Sequence, residues 1–446
     1  MSPDSSDTIV AQATPSGRGG IGVVRVSGPL VPNIAEQILH RTLMEREATF
    51  CQFWDEHSRL IDQGIAIYFV EPASFTGEAM LELQSHGSQA VIQLLVERVL
   101  ALGARLAGPG EFSRRAFLNK KIDLTQAEAI ADIINATSVQ AAKSAARSLR
   151  GEFSLQIDDL LSKLTTLRVQ VEGMIDFPEE KELLDLTNSD SYRMLVELLA
   201  DLRLLIGRTR DGVVLQEGIK VAIIGNTNAG KSTLFNRLSG QDSAIVTDIP
   251  GTTRDLLRET LFFNGIALKL CDTAGFRAHP DPVEAEGIRR TEREMLEVDH
   301  ILFVVDSTND LDDAWSSMVT KLGNLSRVTL VYNKSDLLFK RKELITVDGV
   351  TSIHISAKYG QGMEQLISHL QGLVSEQNIN EGFSARRRHV DSLQRVAKIL
   401  AQINVVDLEL FAYDLAQAQQ VLSEITGVVT NGDILNAIFD KFCIGK

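Results

Sequence analysis

The sequence predicts a multidomain α/β chain: a small N-terminal α+β domain, a discontinuous all-α helical domain, and a mostly parallel, doubly wound α/β domain inserted into the helices. Three observations carry that expectation. At 446 residues the chain exceeds what one core organises, and roughly 100 to 200 residues per domain implies two to four domains. The hydrophobic period changes along the chain, from mixed to helical, then to alternating strand and helix, then back to helical. Hydrophobic residues make up 44% and charged residues 23%, the balance of a compact globular protein and not of a disordered or fibrous one.

Between Thr8 and about Lys121, strand-like runs over Ile9 to Ala13, Ile21 to Val26, Ile65 to Val70 and Met80 to Leu83 alternate with helix-like runs over Ile34 to His40 and Ala90 to Leu102. That mixture reads as an α+β domain. Thr125 and Glu128 then have the spacing of a capping box, Thr125 accepting from a first-turn amide and Glu128 reaching back to the Thr125 N–H, so a long helix is expected to start there. Ala- and Leu-rich sequence of helical period continues to Phe177, is stopped by Pro178 and an acidic patch, and resumes from Ser191 to Asp211. From about Lys220 to Leu373, apolar runs over Val221 to Ile224, Leu268 to Cys271, Ile301 to Val305, Thr329 to Tyr332 and Ser352 to Ile355 alternate with helical stretches. Continuous apolar strands separated by helices predict a doubly wound parallel sheet buried on both faces. Helical period returns after about Asn380 and lasts through Asp440, so the chain leaves and re-enters its helical domain. Domain boundaries are expected at residues 1–121, 122–216, 217–378 and 379–446.

Several classes are excluded. The longest apolar runs, such as Ile301 to Val305, fall far short of the roughly 20 residues that span a bilayer, and the N-terminus has no basic stretch leading into an apolar one. Neither secretion nor membrane insertion is expected, and a cytoplasmic location is. Cys51, Cys271 and Cys443 lie too far apart for a CxxC knuckle or a paired framework, which suits a reducing compartment. A formal net charge of -14 argues against a surface that binds nucleic acid indiscriminately, so any such contact is expected to be local. The compact basic cluster Arg386-Arg387-Arg388-His389 reads either as a solvated helix start or as a phosphate contact.

Gly225-Asn226-Thr227-Asn228-Ala229-Gly230-Lys231-Ser232 matches GxxxxGK[ST] directly after an apolar strand and before a helix. Its glycines let backbone N–H groups turn around phosphate oxygens, Lys231 supplies a point charge, and the Ser232 hydroxyl is a Mg²⁺ ligand. Thr233 and the amides of Asn228, Ala229 and Gly230 complete the expected phosphate contacts. Asp272-Thr273-Ala274-Gly275 closes a second strand, bringing a carboxylate near Mg²⁺ and a glycine amide near the γ-phosphate. Asn333-Lys334-Ser335-Asp336 ends a third, where the Asp336 carboxylate accepts from the ring N1–H and exocyclic amine of guanine, which adenine does not offer there. Ser356-Ala357-Lys358 follows a fourth and backs the base. The segment Thr247, Asp248, Ile249, Pro250, Gly251, Thr252 and Thr253 lies where a switch loop is expected to touch the nucleotide, with Thr253 completing the Mg²⁺ shell. The expected ligand is GTP.

In Ras-like GTPases a Gln directly after the second-strand motif orients the attacking water, but here that place holds Phe276, which neither donates nor accepts a hydrogen bond. The phosphate loop with Asn228, the Gly251-Thr252-Thr253-Arg254-Asp255 switch, the non-polar residue after Gly275, and the terminal Cys443-Ile444-Gly445-Lys446 together resemble the MnmE (TrmE) family of tRNA modification GTPases, within the TrmE-Era-EngA-YihA-Septin-like superfamily, over essentially the whole chain. The resemblance implies a Ras-like P-loop G domain in the inserted position and an N-terminal domain that binds folate and dimerises. It also implies K⁺-dependent hydrolysis by G domains that pair across a homodimer. By that family's pattern the Asn228 side chain and the backbone carbonyls of Thr247, Ile249 and Thr252 hold K⁺, and a fixed cation beside the phosphates stabilises the transition state without a donated arginine. The family's water-orienting catalytic glutamate falls on Glu284, with Glu286 the competing position. Arg254 and Arg277 are either switch contacts or ordinary exposed arginines.

The same resemblance implies that Arg25, Glu82 and Lys121 hold formyl-tetrahydrofolate or a related tetrahydrofolate, although each could equally be a surface ion pair. The tail is implied to reach that site, with Lys446 in ligand contact and Cys443 in the chemistry; a frayed terminus is the alternative, and a nucleophilic thiol needs surroundings that lower its pKa. The Gly-rich stretch from Ser16 to Gly22 lacks the GK[ST] ending and is expected to be a structural turn. With no dinucleotide fingerprint expected, flavin chemistry must come from a partner, which the resemblance names as the flavoprotein MnmG in a heterotetramer. The implied work is addition of an aminomethyl or carboxymethylaminomethyl group to carbon 5 of the tRNA wobble uridine, with a tetrahydrofolate one-carbon unit and GTP hydrolysis driven by G-domain dimerisation. Two rivals stay open: a GTP-timed ribosome-assembly factor that binds RNA without modifying it, and a purely scaffolding dimer. The N-terminal domain and the Cys-Ile-Gly-Lys tail separate these readings.

Overall fold

The computed structural model describes residues 7–176, 190–226, 228–239, 258–263, 266–272, 298–308, 315, 325, 327–338, 346–347, 350–373, 382–428, 432–440, 442 and 444–445. The chain forms two compact units, one comprising Met1–Ala131, Leu149–Leu198 and Arg395–Lys446, the other Asp132–Ser148 and Leu199–Gln394.

The first unit carries a six-stranded sheet of β1 (Ile9–Gln12), β2 (Gly19–Ser27), β3 (Thr49–Trp54), β4 (Leu60–Phe69), β5 (Met80–Gly87) and β6 (Arg105–Leu106), ordered β3-β4-β5-β2-β1-β6. Side chains alternate across a strand. Val10, Val24, Val26, Leu81 and Leu83 therefore share one face, where they pack on Ile34 and Ile38 of α1 (Val31–Leu39) and Leu95 and Val99 of α2 (Gln89–Ala101). The intervening residues Ile9 and Ala11 pack with Phe112 of α3 (Glu111–Leu118) and with Phe75.

Three expectations need correction here. Gly17 to Gly22 does spell G-x-G-x-x-G, but its last four residues open strand β2, with a register irregularity against β5 between Gly19 and Gly22, so it is neither a turn throughout nor a dinucleotide loop, which must open a helix. The capping box lies two residues upstream of Thr125. Asp123 Oδ1 accepts from the Gln126 N–H at 2.9 Å, Gln126 Oε1 accepts from the Asp123 N–H at 3.0 Å, and the Asp123 carbonyl takes the Ala127 N–H. Asp serves as well as Thr at this position, and Thr125 Oγ1 instead donates to Asp123 Oδ1. The helical run expected to last from there to Phe177 is divided into α4 (Leu124–Asn135), α5 (Val139–Leu149) and α6 (Glu152–Asp176), the last break falling at Gly151 with φ +85.

On α6 the buried residues Phe153, Ile157, Leu160, Leu164, Leu167 and Val171 recur every three or four positions, as do Leu408, Phe411, Leu415, Ala418, Leu422 and Ile425 on α11 (Leu408–Thr426), and these two helices pack together. The final helix α12 (Gly432–Phe439) buries Leu435, Ile438 and Phe439 against Leu124, Ala127 and Ala131.

A buried ion network fixes α3 and the loop before β5. Arg115 Nη2 donates to Asp7 Oδ1 at 2.5 Å and to Glu111 Oε1 at 3.1 Å, its Nη1 reaches Glu78, and Arg105 grips Glu111 through both terminal nitrogens. Burial alone would raise the Glu111 carboxyl, but Arg105, the Gly108 N–H and Arg115 hold it at about 2, against an ordinary 4.5. The folded form thus binds this proton less readily than the unfolded one, so the stabilisation is complete above about pH 4.5 and is lost as pH falls through about 2. At about 1.4 kcal/mol per pH unit the carboxylate contributes on the order of 3 kcal/mol. Glu111→Gln is expected to lower the melting temperature at pH 7 and to flatten its decline between pH 4.5 and 2; an unchanged acid profile would remove Glu111 from the account.

In the second unit a seven-stranded sheet runs β12-β13-β11-β10-β7-β9-β8, comprising β7 (Ile219–Gly225), β8 (Arg258–Phe263), β9 (Ile266–Asp272), β10 (His300–Asp306), β11 (Val328–Asn333), β12 (Thr346–Val347) and β13 (Val350–His354). Every pairing among β9, β7, β10, β11 and β13 is parallel, while edge strands β8 and β12 are antiparallel. Helices α8 (Lys231–Ser239) and α9 (Met363–Gly372) bury Leu234, Leu238, Leu366 and Leu370 against Val221, Ile223, Leu302 and Val331. Connections after β7 go first to one side of it and then to the other, so the end of β7 is the topological switch point where open α/β sheets bind ligands. Helix α7 (Asp190–Glu217) leads into β7, and α10 (Arg387–Ala401) follows the sheet. The basic cluster is engaged internally: Arg386 pairs with Asp132 at 2.9 Å, and Arg387 with both Glu217 at 3.2 Å and Asp299 at 2.8 Å.

Candidate functional site

Strand β7 ends at Gly225, whose φ of +146 turns the chain into the loop that precedes α8. Asn228 occupies the left-handed region at φ +66, a conformation that Asn tolerates better than most residues, and its side chain is exposed. Gly230 has φ +89, and a Cβ there would stand 2.2 Å from Asn333 Nδ2, so no larger residue fits the close approach. Helix α8 then starts at Lys231. Its first amides have no partner within the helix, which with the helix dipole makes this end a place for anions. Lys231 Nζ donates to the carbonyls of Gly225 and Asn226, both at 2.7 Å, which holds the ammonium at the mouth of the loop. Ser232 and Thr233 are exposed in the first turn.

The ends of neighbouring strands converge on that loop. Asn333 closes β11 and binds in two directions: Nδ2 donates to the Ala229 carbonyl and Oδ1 accepts from the Ala357 N–H, each at 2.9 Å. One buried side chain therefore ties the phosphate loop to the Ser356-Ala357-Lys358 turn. Lys334 follows in the left-handed region at φ +63, and Ser335–Leu337 forms a 3₁₀ turn that presents an exposed Asp336. Asp336 Oδ1 accepts from Ser356 Oγ at 2.5 Å, so the second turn orients the carboxylate of the first. Lys358 Nζ lies 5.1 Å from the centroid of the Tyr359 ring. Asp272, the last residue of β9, pairs in register with Ile223, two residues before Gly225.

The structure thus gathers Asn228, Ala229, Gly230, Lys231, Ser232, Thr233, Asn333, Lys334, Ser335, Asp336, Ser356, Ala357 and Lys358 along one edge of one sheet. Thr247 to Thr253, Arg254, Thr273, Ala274, Gly275, Phe276, Arg277, Glu284, Glu286, Cys443 and Lys446 lie outside the described residues. Sequence reasoning missed Asp306, Ser307 and Thr308. Lys334 Nζ donates to Asp306 Oδ2 at 2.6 Å, and the Asn333 carbonyl accepts from both Ser307 N at 2.8 Å and Ser307 Oγ at 2.6 Å. A signal existed: Asp306 ends the apolar run Ile301 to Val305 just as Gly225, Asp272 and Asn333 end theirs.

A second constellation lies in the first unit. Arg25 on β2 and Glu82 on β5 are register partners, with Arg25 Nε to Glu82 Oε1 at 3.0 Å and a terminal nitrogen at 2.8 Å. The guanidinium carbon lies 5.9 Å from the Phe75 ring centroid and 5.8 Å from that of Phe112. Lys121 holds the neighbouring loop and not this pair: its Nζ donates to the Pro72 carbonyl at 3.0 Å, while Asn119 Nδ2 donates to the Thr76 carbonyl at 2.7 Å. Both therefore hold the loop that carries Phe75 over Arg25. The chain's end comes to the same sheet: Ile444 bridges to Pro109, and Gly445, at φ +96, packs so closely that a Cβ would stand 2.1 Å from the Gln12 carbonyl oxygen. Gln12 follows Ala11, the register partner of Arg25. Phe75 and Phe112 were also missed, because they reach the pair from a loop and a helix distant in sequence.

Two family profiles and the curated relatives agree in extent and kind. The family profile described as the MnmE helical domain matches residues 124–443, and that of the GTP-binding protein TrmE N-terminus matches residues 8–121. The chain is 47% identical over 454 residues to the tRNA modification GTPase MnmE of Shewanella denitrificans, covering 99% of this chain and 100% of that protein. It is 48% identical over 456 residues to the tRNA modification GTPase MnmE of Vibrio cholerae, with the same coverage. Among solved structures, the G domain of the T. maritima FeoB iron transporter is 25% identical, over 35% of this chain and 99% of that one, with a TM-score of 0.28.

Proposed function

This chain belongs to the MnmE family of tRNA modification GTPases, and from that premise we propose that it hydrolyses GTP at the β7–α8 loop in the course of modifying carbon 5 of a tRNA wobble uridine. The observation that carries the nucleotide reading is the pair of hydrogen bonds made by Asn333, which ties the phosphate loop to the Ser356 turn that orients Asp336. In this reading Lys231 and the first amides of α8 bind the phosphates, and Asp336 reads the base. Thr247, Asp248, Ile249, Pro250, Gly251, Thr252, Thr253, Asp272, Thr273, Ala274 and Gly275 complete the nucleotide contacts, and Glu284 orients water.

The donors present suit the cations. The Ser232 hydroxyl, exposed in the first turn of α8, would hold Mg²⁺ together with Thr253, and the exposed amide of Asn228 would hold K⁺ with the carbonyls of Thr247, Ile249 and Thr252. Bound there, the two cations supply positive charge to phosphate oxygens as negative charge shifts among them. Asn228 would contribute through its side chain, which is exposed at the loop surface.

Folate is assigned to the other constellation. A carboxylate and guanidinium flanked by two aromatic rings offer the acceptors, donors and flat apolar walls that a pterin needs, so Arg25, Glu82 and Lys121, with Lys446 from the tail, would hold a tetrahydrofolate, and Cys443 takes part in its chemistry. When bound, that cofactor supplies the one-carbon unit. Residues 1–121 form the folate-binding domain in this reading, 122–216 and 379–446 the helical domain, and 217–378 the G domain. The domain's outer sheet face supports a homodimer: Phe50 and Ile65 sit directly opposite each other on β3 and β4 while 64% and 38% exposed, and Ile67 beside them is register partner of Glu82. A second copy on that face would cover apolar surface that borders the Arg25–Glu82 pair. The flavoprotein MnmG supplies the redox chemistry, and the work is cytoplasmic.

A GTPase assay in K⁺ against Na⁺, repeated across protein concentration, tests the dimer-cation reading. Turnover is expected to be about tenfold or more faster in K⁺ and to rise with concentration until pairing saturates. Equal rates in both salts, independent of concentration, would sink it.

A further inference from the structure

We propose that Asp306, at the exit of β10, is the positioning residue for the guanine side of the nucleotide site, setting guanine-nucleotide affinity by holding Lys334 in place. The proposal rests on the reading of Asn333 to Asp336 as the base-recognition turn. Strands β10 and β11 are parallel neighbours, and their last residues, Asp306 and Asn333, are register partners at the sheet edge that faces the phosphate loop. Asp306 and Ser307 at the end of β10 grip Asn333 and Lys334 at the end of β11. Ser307 donates twice to the Asn333 carbonyl, and Asp306 Oδ2 accepts from Lys334 Nζ at 2.6 Å.

The carboxylate is itself oriented before it reaches Lys334. Its Oδ1 accepts from the Thr308 N–H at 3.0 Å and the Thr308 hydroxyl at 2.8 Å, which leaves Oδ2 for the ammonium. Burial alone would raise the Asp306 carboxyl, but the Lys334 ammonium and both Thr308 donors hold it below the usual carboxylate range, so it is ionised wherever the protein is assayed. The Asp306 side chain is 17% exposed and that of Lys334 34%, so the pair is partly shielded from water. Lys334 needs such a holder because its backbone is in the left-handed region, unfavourable for a long side chain, and four flexible torsions would otherwise let its stem sweep across the entrance beside Asp336. Charge-assisted hydrogen bonds of this length are the strong class. Asp306 acts through Lys334 and touches no reacting atom, so its effect belongs on nucleotide binding and not on the hydrolytic step.

The test is a double-mutant cycle on the full-length chain, with fluorescent GDP and fluorescent ADP as probes and turnover measured at saturating GTP. Asp306→Asn keeps the shape and the Thr308 bonds but cannot accept from the ammonium, and Lys334→Met keeps the stem. Each single variant is expected to weaken GDP binding about tenfold, with Asp306→Asn changing turnover at saturating GTP less than about twofold. The double variant is expected to bind no more weakly than Lys334→Met alone. An unchanged GDP affinity in Asp306→Asn would overturn the proposal. So would a second, multiplying loss in the double variant, or a fall in saturated turnover without a change in affinity. Should the unmodified protein bind ADP as tightly as GDP, the base-recognition reading fails first and takes this inference with it, a result distinct from the others.

Discussion

Replacing Lys231 by alanine is expected to lower GTP turnover by about a thousandfold, or about 4 kcal/mol of transition-state stabilisation, measured as kcat/KM in K⁺ at saturating Mg²⁺. The size follows from where the ammonium is kept. Two loop carbonyls, those of Gly225 and Asn226, accept from Nζ at 2.7 Å, so the charge is already at the mouth of α8 before substrate arrives and little reorganisation is needed there. A preorganised donor aimed at phosphate oxygens is worth far more than a mobile one in water. Lys231→Arg tests geometry separately from charge, because a planar guanidinium cannot occupy the same pair of carbonyls as a compact ammonium. That variant is expected to recover less than a tenth of the lost rate. Turnover of Lys231→Ala within about tenfold of the parent would show that the β7–α8 loop is not where phosphate chemistry takes place.

What was legible in the sequence, and what was not, divides along the range of the forces involved. Strands β7, β10, β11 and β13 announce themselves as apolar runs because each is buried on both faces, and the residues that end β7, β10 and β11 lie at the candidate site. Strand β3 and helix α3 were missed for the opposite reason. Thr49–Trp54 leaves Phe50 and Gln52 exposed on the outer face, and α3 spends its eight residues on the Arg115 network as much as on apolar packing, so neither shows a clean period. The cap of α4 was placed two residues late because Thr125 and Asp123 both satisfy the spacing rule; only the hydrogen bonds to Gln126 decide between them. Asn333 is expected among the nucleotide-binding residues, but the bonds of its side chain to the Ala229 carbonyl and the Ala357 N–H are not legible, because they depend on two loops 104 and 24 residues away. Periodicity reports burial of one segment; it carries no information on which loops a fold brings together.

Asp336→Asn is expected to exchange the base that the enzyme prefers, with kcat/KM for GTP falling about a hundredfold or more and that for xanthosine triphosphate rising to exceed it. The reasoning is a count of donors and acceptors. An ionised carboxylate has only acceptors, which match the N1–H and exocyclic amine of guanine. The introduced amide still accepts from N1–H but presents an NH₂ where guanine also presents one, leaving two donors opposed and desolvated. Xanthine carries a carbonyl at that carbon, so the same amide makes both bonds. Ser356 decides whether the exchange is clean. Its Oγ donates to Asp336 Oδ1 at 2.5 Å, and because an amide oxygen can accept that bond as well, the amide is held with its NH₂ facing the base. Ser356→Ala in the same background should therefore blunt the gain for the xanthine nucleotide while restoring little for GTP. Rates are to be measured for GTP, xanthosine triphosphate and ATP in both variants. GTP efficiency within about threefold of the parent in Asp336→Asn would remove Asp336 as the base reader, whereas loss of GTP without any gain for the xanthine nucleotide would mean that the carboxylate serves the turn and not the base.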